Sequence, residues 1–297
     1  MKKKWIIGTR GSKLALTQTQ IVVHELRSHY PAHEFVIKTI KTTGDTVWNK
    51  PLHLVGGKGL FVKEIEEQLL EGSIDMAVHS VKDLPAQLEK GLILGAVLKR
   101  ENPRDAFVSL THDSLDKLEA GSRIGTSSLR RRAQLLHYNS ALKIVTLRGN
   151  IDTRIKKLKT EALDAVILAY AGLTRMGLED CVKEILPFSV MIPACGQGAI
   201  GIEVKDREET REFLRPVSHE RSFQEISIER QLLAQIGGGC HLPLGIHAAI
   251  EGDVVTLSVS MGTEDGRLFV HEQHSARTKN TDTLIREAYE AIRESLP

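Results

Sequence analysis

The sequence predicts an α/β protein: two doubly wound domains followed by a small C-terminal α+β domain. Three observations predict it. Strand-like and helix-like segments alternate through the N-terminal two-thirds of the chain. The polar stretch "KRENPRD", residues 99–105 with Pro103 inside it, separates two similar alternating runs. Beyond about residue 219 the rhythm changes to a helix, a hairpin and a closing helix. The expected domains are 1–99 with 197–216, then 104–193, then 219–297. The returning piece is "GAIGIEV", which reads as a buried strand going back to the first domain.

The elements follow from local chemistry. "KKWIIGTR" is a short strand. "SKLALTQTQIVVHELRSHYP" is a helix with Ser12 as N-cap and Pro31 closing it. "EFVIKTIKT" alternates as a strand, and "GLFVKEIEEQLLEG" puts Phe61, Ile65 and Leu69 on one helical face with Gly72 at its end. "SIDMAVHS" is a strand again. The pattern resumes with "SRIGTSS", "LRRRAQLLHY", "ALKIVTLRG", "NIDTRIKKLK", "LDAVILAY" and "GLTRMGL". In the last third, Ser222 and Glu225 stand at capping-box spacing before a helical apolar face. "DVVTLSVSMG" and "RLFVHEQHSA" flank the turn-like "TEDG" as a hairpin, and "TDTLIREAYEAIRES" is an amphipathic helix. Residues 42–59 break the rhythm: they show no period and carry five glycines and prolines, the signature of a functional loop.

Composition excludes several classes. A formal net charge of +2 is too small to argue for nucleic acid, so functional charge must be local. Three widely spaced cysteines, Cys181, Cys195 and Cys240, make neither a disulfide framework nor a metal knuckle. No apolar run has the length of a membrane span, and the basic start lacks a signal-peptide core, so cytoplasmic residence with reduced thiols is expected. "GGKGLF" lacks P-loop spacing, and no HExxH occurs. The histidines of "HEQH", His271 and His274, would face opposite sides of a strand, so no metal site is expected.

The charge gathers where strands end. Arg10 and Ser12 follow "WIIGT"; Lys82 and Asp83 follow "MAVHSV"; Thr126, Ser127, Ser128, Arg130 and Arg131 follow "RIG". Arg148 follows "IVTL", with Arg154 about one turn later, and Arg175 follows "VILAYAGLT". Ligands of open α/β sheets bind at the carboxyl ends of strands, where helix N-termini favour anions. Arginine forks meet carboxylates or phosphates bidentately, so this set implies a polyanion carrying several acidic groups. Any one arginine alone would be an ordinary solvated charge; the recurrence at one kind of junction is what argues for a site. Asp83 is the exception in a basic set. It pairs with a neighbouring cation, or it holds a cationic intermediate and moves a proton.

"GGGCHLP", residues 237–243, places Cys240 behind three glycines. The end of a helix disfavours a thiolate, so Cys240 is not an obvious low-pKa nucleophile. It reads either as a buried, inert thiol or as one that meets a reactive electrophile once and stays bonded.

These stretches, with "IGTRGSKLALTQ", "GGKGLFVKEIE", "DMAVHSVKDLP", "GTSSLRRRAQL", "TLRGNIDTRIKKL", "ILAYAGLTRMGL" and "PACGQGAIGIE", resemble the porphobilinogen deaminase (hydroxymethylbilane synthase) family nearly end to end. The resemblance implies two domains like type II periplasmic binding proteins and a third that carries the cysteine. It implies a transferase of haem biosynthesis that condenses four porphobilinogen molecules into the linear tetrapyrrole hydroxymethylbilane and releases ammonia. A dipyrromethane cofactor, joined as a thioether to the cysteine matching Cys240, primes the chain. The catalytic aspartate matches Asp83, which would stabilise azafulvene and pyrrolic cations. Lys82, Asp83, Thr126, Ser128, Arg130 and Arg131 match cofactor-binding positions. Arg10, Ser12, Gln18, Arg148, Arg154, Arg175, Gln197 and Gly198 match substrate-binding positions, the last two near the domain hinge. Residues 42–59 match a lid that ends near Lys58 and Phe61. A monomer acting on a small molecule, without nucleic acid or membrane, is expected. The alternatives from other classes are a cytoplasmic two-lobed polyanion-binding protein without catalysis and a nucleic-acid-binding regulator.

Overall fold

The computed structural model describes residues 3–46, 62–238 and 242–295. The chain divides into two compact units, Met1–Glu101 with Ala199–Gln224, and Asn102–Gly198 with Glu225–Pro297.

In the first unit, β1 (Lys4–Arg10) leads into α1 (Lys13–His29), β2 (Glu34–Ile40), a single helical turn α2 (Thr43–Thr46), α3 (Lys63–Glu71), β3 (Met76–Ser80) and β4 (Leu92–Val97). The strand β10 (Ile200–Lys205) returns from the far end of the second unit's α/β run and enters this sheet between β3 and β4. The order is β2-β1-β3-β10-β4, with β1 parallel to β2 and β3, and β10 antiparallel to both its neighbours. Helices cover both faces. Val22 and Leu26 of α1 pack on Trp5, Ile7, Val78 and Ile202. Ile65 and Leu69 of α3 pack on Ile40, Ile74 and Ala77. Each such fully buried aliphatic side chain contributes roughly 1.5–3 kcal/mol.

The sequence locates the helix ends well. Ser12 caps α1, its Oγ accepting from Ala15 N at 3.2 Å. Gly72 closes α3 at φ 83°, the left-handed geometry that glycine adopts without strain.

The second unit contains β5 (Asp105–Val108), β6 (Arg123–Gly125), α4 (Leu129–Tyr138), β7 (Lys143–Val145), α5 (Ile151–Thr160), β8 (Ala165–Ala169), α6 (Tyr170–Arg175) and β9 (Val182–Ile185). Its sheet order, β7-β6-β8-β5-β9, repeats that of the first. Three parallel strands are again followed by an antiparallel one, here β5. Phe107, Ile124, Leu135 and Ile167 fill one face, and Val108, Leu147, Leu158 and Leu168 the other.

After α7 (Glu208–Leu214), the helix α8 (Glu220–Ile236) leads to β11 (Leu244–Glu251), β12 (Val254–Gly262), β13 (Phe269–Arg277) and α9 (Thr281–Ser295). The three strands form one antiparallel sheet, and β12 and β13 make the expected hairpin, with Gly262 opposite Phe269. In β13 His271 is exposed and His274 half-buried with Glu272 at 3.0 Å, as alternation requires.

One expectation is corrected. Ser222 and Glu225 do not form a capping box, because α8 begins earlier, at Glu220. His219 does the capping, its Nδ1 accepting from Ser222 N at 3.2 Å, while Ser222 Oγ accepts from Arg100 N at 2.9 Å. Glu225 is spent elsewhere, accepting from Ile250 N at 3.0 Å. No helix among the described residues is long and apolar enough to cross a membrane.

Candidate active site

In the first unit the functional side chains gather because parallel strands end at one sheet edge. β1 and β3 pair in parallel, Ile7 opposite Met76, so Arg10 and the segment after Ser80 emerge at the same edge. There β3 turns directly into one 3-10 turn, Val81–Asp83. Two bonds fasten the turn: Val81 N donates to Ala199 O at 3.1 Å, and Leu84 N to Val81 O at 3.0 Å. Val81 is buried as the anchor, which leaves Lys82 and Asp83 half-buried on its rim. Arg10 and Ser12 are half-buried too. Ser12 has its hydroxyl committed to the α1 cap. Gln18 is 2% exposed, and its Oε1 accepts from Ser80 Oγ at 3.0 Å. It therefore braces the base of the Lys82–Asp83 turn from α1.

In the second unit the segment after β6 wraps onto the start of α4. Thr126 N continues the sheet by donating to Val145 O at 2.9 Å. Thr126 Oγ1 accepts from Ser128 N at 3.2 Å, and Ser128 Oγ caps α4 by accepting from Arg131 N at 3.4 Å. These hydroxyls lie at a helix N-terminus, where unpaired N–H groups and the helix dipole attract anions.

Arg130 and Arg131 point inward instead of toward solvent, at 4% and 5% exposure. Their shared partner is Asp105, the first residue of β5 and fully buried. Arg130 Nη1 lies 2.7 Å from Asp105 Oδ2; Arg131 meets Oδ1 with Nε at 3.0 Å and Nη2 at 2.6 Å. Arg130 Nη1 also donates to Ile192 O at 2.7 Å, and Arg131 Nη1 to Ile167 O at 2.8 Å. Burial alone would raise the Asp105 carboxyl, but the two guanidinium charges outweigh it and hold the group well below the usual carboxylate range. Burial lowers Arg130, against the pull of Asp105. Two cations face one anion here, and Arg130 Nε is buried with no hydrogen-bond partner among the described residues.

Gln197 belongs to the same cluster, since Nε2 donates to Pro103 O at 2.7 Å and to Asp105 Oδ1 at 3.1 Å. Gly196 and Gly198 flank it at φ 72° and 88°. Gly198 O accepts from Arg175 Nη2 at 2.5 Å, which ties the end of α6 to this turn. The buried Glu229 of α8 secures the turn further, accepting from Gly196 N at 2.7 Å and from Ala248 N of β11 at 2.8 Å. Arg148 and Arg154 are half-buried around the loop before α5, where Arg154 Nε donates to Gly149 O at 2.7 Å.

Arg132 donates Nε to Glu264 O at 3.0 Å and so fastens α4 to the β12–β13 hairpin. Cys195 packs beside the core of the three-stranded sheet. Cys240, Lys58 and Phe61 lie outside the described residues, as does most of the expected lid.

Sequence reading missed Asp105, Gln134 and Glu229. Each carried a signal: a polar side chain set within or beside an apolar run needs a buried partner. Gln134 on α4 is buried and grips Ile192 through both its amide atoms, at 2.7 and 2.9 Å.

Comparison with known proteins supplies what geometry does not. A family model described as "Porphobilinogen deaminase, dipyromethane cofactor binding domain" matches residues 5–212, and one described as "Porphobilinogen deaminase, C-terminal domain" matches residues 223–288. The porphobilinogen deaminase of Pelotomaculum thermopropionicum is 47% identical over 271 residues, covering 91% of this chain and 87% of that protein. That of Geobacillus kaustophilus is 48% identical over 264 residues, 88% and 85% of the two chains. Among solved structures, the methionine binding protein MetQ is similar at a TM-score of 0.45 and 14% identity, over 77% of this chain and 95% of that one. With both family models matched in order along most of its length, the chain belongs to the porphobilinogen deaminase family.

Proposed function

We propose that this chain condenses four porphobilinogen molecules head to tail, releasing one ammonia at each addition, and that one water then frees the four-unit chain from its primer and supplies the hydroxyl of hydroxymethylbilane, in the cytoplasm as a monomer. The observation that carries the reading is Asp83: a half-buried carboxylate held on a fastened turn at a strand end, in a chain whose other strand ends present cations and hydroxyls.

The residues suit a dipyrromethane group bearing acetate and propionate arms. A polycarboxylate needs guanidinium, ammonium and hydroxyl donors, which is the donor set after β3 and β6, and Arg130 Nε is a buried donor without a partner among the described residues. Cys240 would hold the group as a thioether, with Lys82, Thr126, Ser128, Arg130 and Arg131 meeting its arms. When bound, the group supplies the nucleophilic pyrrole carbon to which the first substrate unit is added.

At each addition the C–N bond of the substrate's aminomethyl group breaks and ammonia leaves. A C–C bond then forms to the free pyrrole carbon, which gives up its proton. Asp83 holds the positive charge that develops on the substrate and accepts that proton on its carboxylate. Arg10, Arg148, Arg154 and Arg175 bind the carboxylate arms of the substrate and of the growing chain, and Ser12, which caps α1 as an acceptor and keeps its O–H to donate, orients them. Gln18, Gln197 and Gly198 support this set through the bonds described above.

The test is an intact mass of the purified protein beside Cys240→Ser. The wild type should exceed its polypeptide mass by two pyrrole units, directly or after incubation with porphobilinogen, and the variant should not. A wild type that never loads under either condition would sink the covalent reading and favour a polyanion-binding protein without chemistry.

A further inference from the structure

We propose that the buried cluster of His79, Glu203 and Glu66 is a positioning device for Asp83, acting through the pairing of β3 and β10. This rests on the reading of Asp83 as the catalytic carboxylate.

The cluster joins three elements on the α3 side of the first sheet. His79 comes from β3, Glu203 from β10 and Glu66 from α3. His79 Nε2 lies 3.0 Å from Glu203 Oε2, with both side chains almost wholly buried. The pair is close but off hydrogen-bond alignment. His79 Nε2, both Glu203 carboxylate oxygens and Glu66 Oε1 have no hydrogen-bond partner among the described residues while both carboxyls are charged; a proton on Glu66 gives it Glu203 as an acceptor. Unaligned buried polar atoms are costly, and three acidic or basic groups in one apolar layer require a reason. Burial first, and then the neighbouring Glu203, push the Glu66 carboxyl up to about 7. Two adjacent buried carboxyls do not readily both ionise, so Glu66 is the one that takes up a proton beside Glu203. The other charged group facing Glu66 is Glu89, whose backbone also hydrogen-bonds it; β4, "LILGAV", offers no charge.

The path from the cluster to Asp83 is short. Gly201 of β10 stands opposite His79, and Ile200 opposite Ser80. The preceding Ala199 carbonyl accepts from Val81 N, the first residue of the turn that carries Asp83. Whatever shifts Glu203 against His79 therefore shifts the β10 end that fastens the turn. Glu66, the fourth residue of α3, senses the same pair from the helix that packs across it.

The test uses holoprotein with carbon-13 in its Asp and Glu carboxyl groups. The wild type should show a glutamate resonance titrating near pH 7, and the Asp83 resonance, identified by its loss in Asp83→Asn, should inflect at the same pH. In Glu66→Gln, which keeps a neutral donor in place and should fold, both inflections should vanish. Wild-type kcat should show a step near pH 7 as well, and that step should vanish in the variant. Glu203→Gln should lower kcat by about tenfold or more, with KM for porphobilinogen held within about twofold, since position near the reacting atoms is what changes. An Asp83 chemical shift with the same pH profile in wild type and Glu66→Gln would overturn the proposal. So would a Glu203→Gln variant whose KM moves as much as its kcat. Absence of turnover in the wild type would overturn the reaction reading, and the positioning role with it; the substrate-free resonances tell that failure apart.

Discussion

Asp105 Oδ1 accepts from Arg131 Nη2 at 2.6 Å while Oδ2 accepts from Arg130 Nη1 at 2.7 Å, so one buried carboxylate holds two consecutive arginines of α4. Asp105→Asn removes the anion and leaves two buried guanidinium groups with no countercharge. A loss of about 3–5 kcal/mol in unfolding free energy is expected from breaking a buried pair. Urea denaturation at neutral pH checks it. The sign with pH follows from the depressed carboxyl. Its contribution is fully present above the ordinary aspartate pKa, and it is lost as pH falls through the lower folded value. The gap in stability between wild type and Asp105→Asn should therefore stay constant from neutral pH to about pH 5 and close only in strong acid.

Asp83 is anchored by backbone bonds around Val81, so its side chain can be changed without loosening the turn. Asp83→Asn should retain the wild-type melting temperature within a few degrees. It should reduce kcat by about 10²-fold or more, the scale of a lost proton-transfer group. Steady-state kinetics beside a thermal melt would check both. A variant that melts early would show instead that Asp83 is part of the turn's structure.

Gly149 sits between Arg148 and α5 at φ 123°, and a Cβ built there would lie 2.7 Å from Thr153 Cγ2. Gly149→Ala should cost about 1–3 kcal/mol in stability through backbone strain. It should also raise KM for porphobilinogen, because Arg148 precedes the strained residue and Arg154 donates to its carbonyl. Adding Thr153→Ser removes the closest methyl and should recover only part of the loss. Complete recovery would mean that crowding, and not φ, sets the cost.

Much of this is legible in the sequence alone. Ser12, Gly72 and the β12–β13 hairpin are local features, each set by residues within a turn or two of one another. The cationic strand ends were legible for the same reason: a short strand-like run that stops at Arg10, Lys82 or Thr126 marks its own edge. The return of "GAIGIEV" to the first sheet was readable as an extra buried strand, because a run apolar on both faces belongs inside a sheet. The motifs of the family, spread over nearly the whole chain, carried the reaction and the cofactor.

Tertiary structure alone decided what each charge is for. Arg130 and Arg131 read as donors to an anionic ligand, and the fold gives both a buried partner in Asp105, 25 and 26 residues away. Gln18 read as a substrate contact, yet it braces Ser80, 62 residues on. Glu203 drew no reading within "GAIGIEV", yet the fold buries it 3.0 Å from His79 and beside Glu66. The physical reason is common to all three. Secondary structure and strand ends follow from short-range sterics and periodicity, which a sequence displays in order. Pairing of buried charges depends on which distant groups the fold places in the same low-dielectric space, where an unpaired charge is too costly to remain.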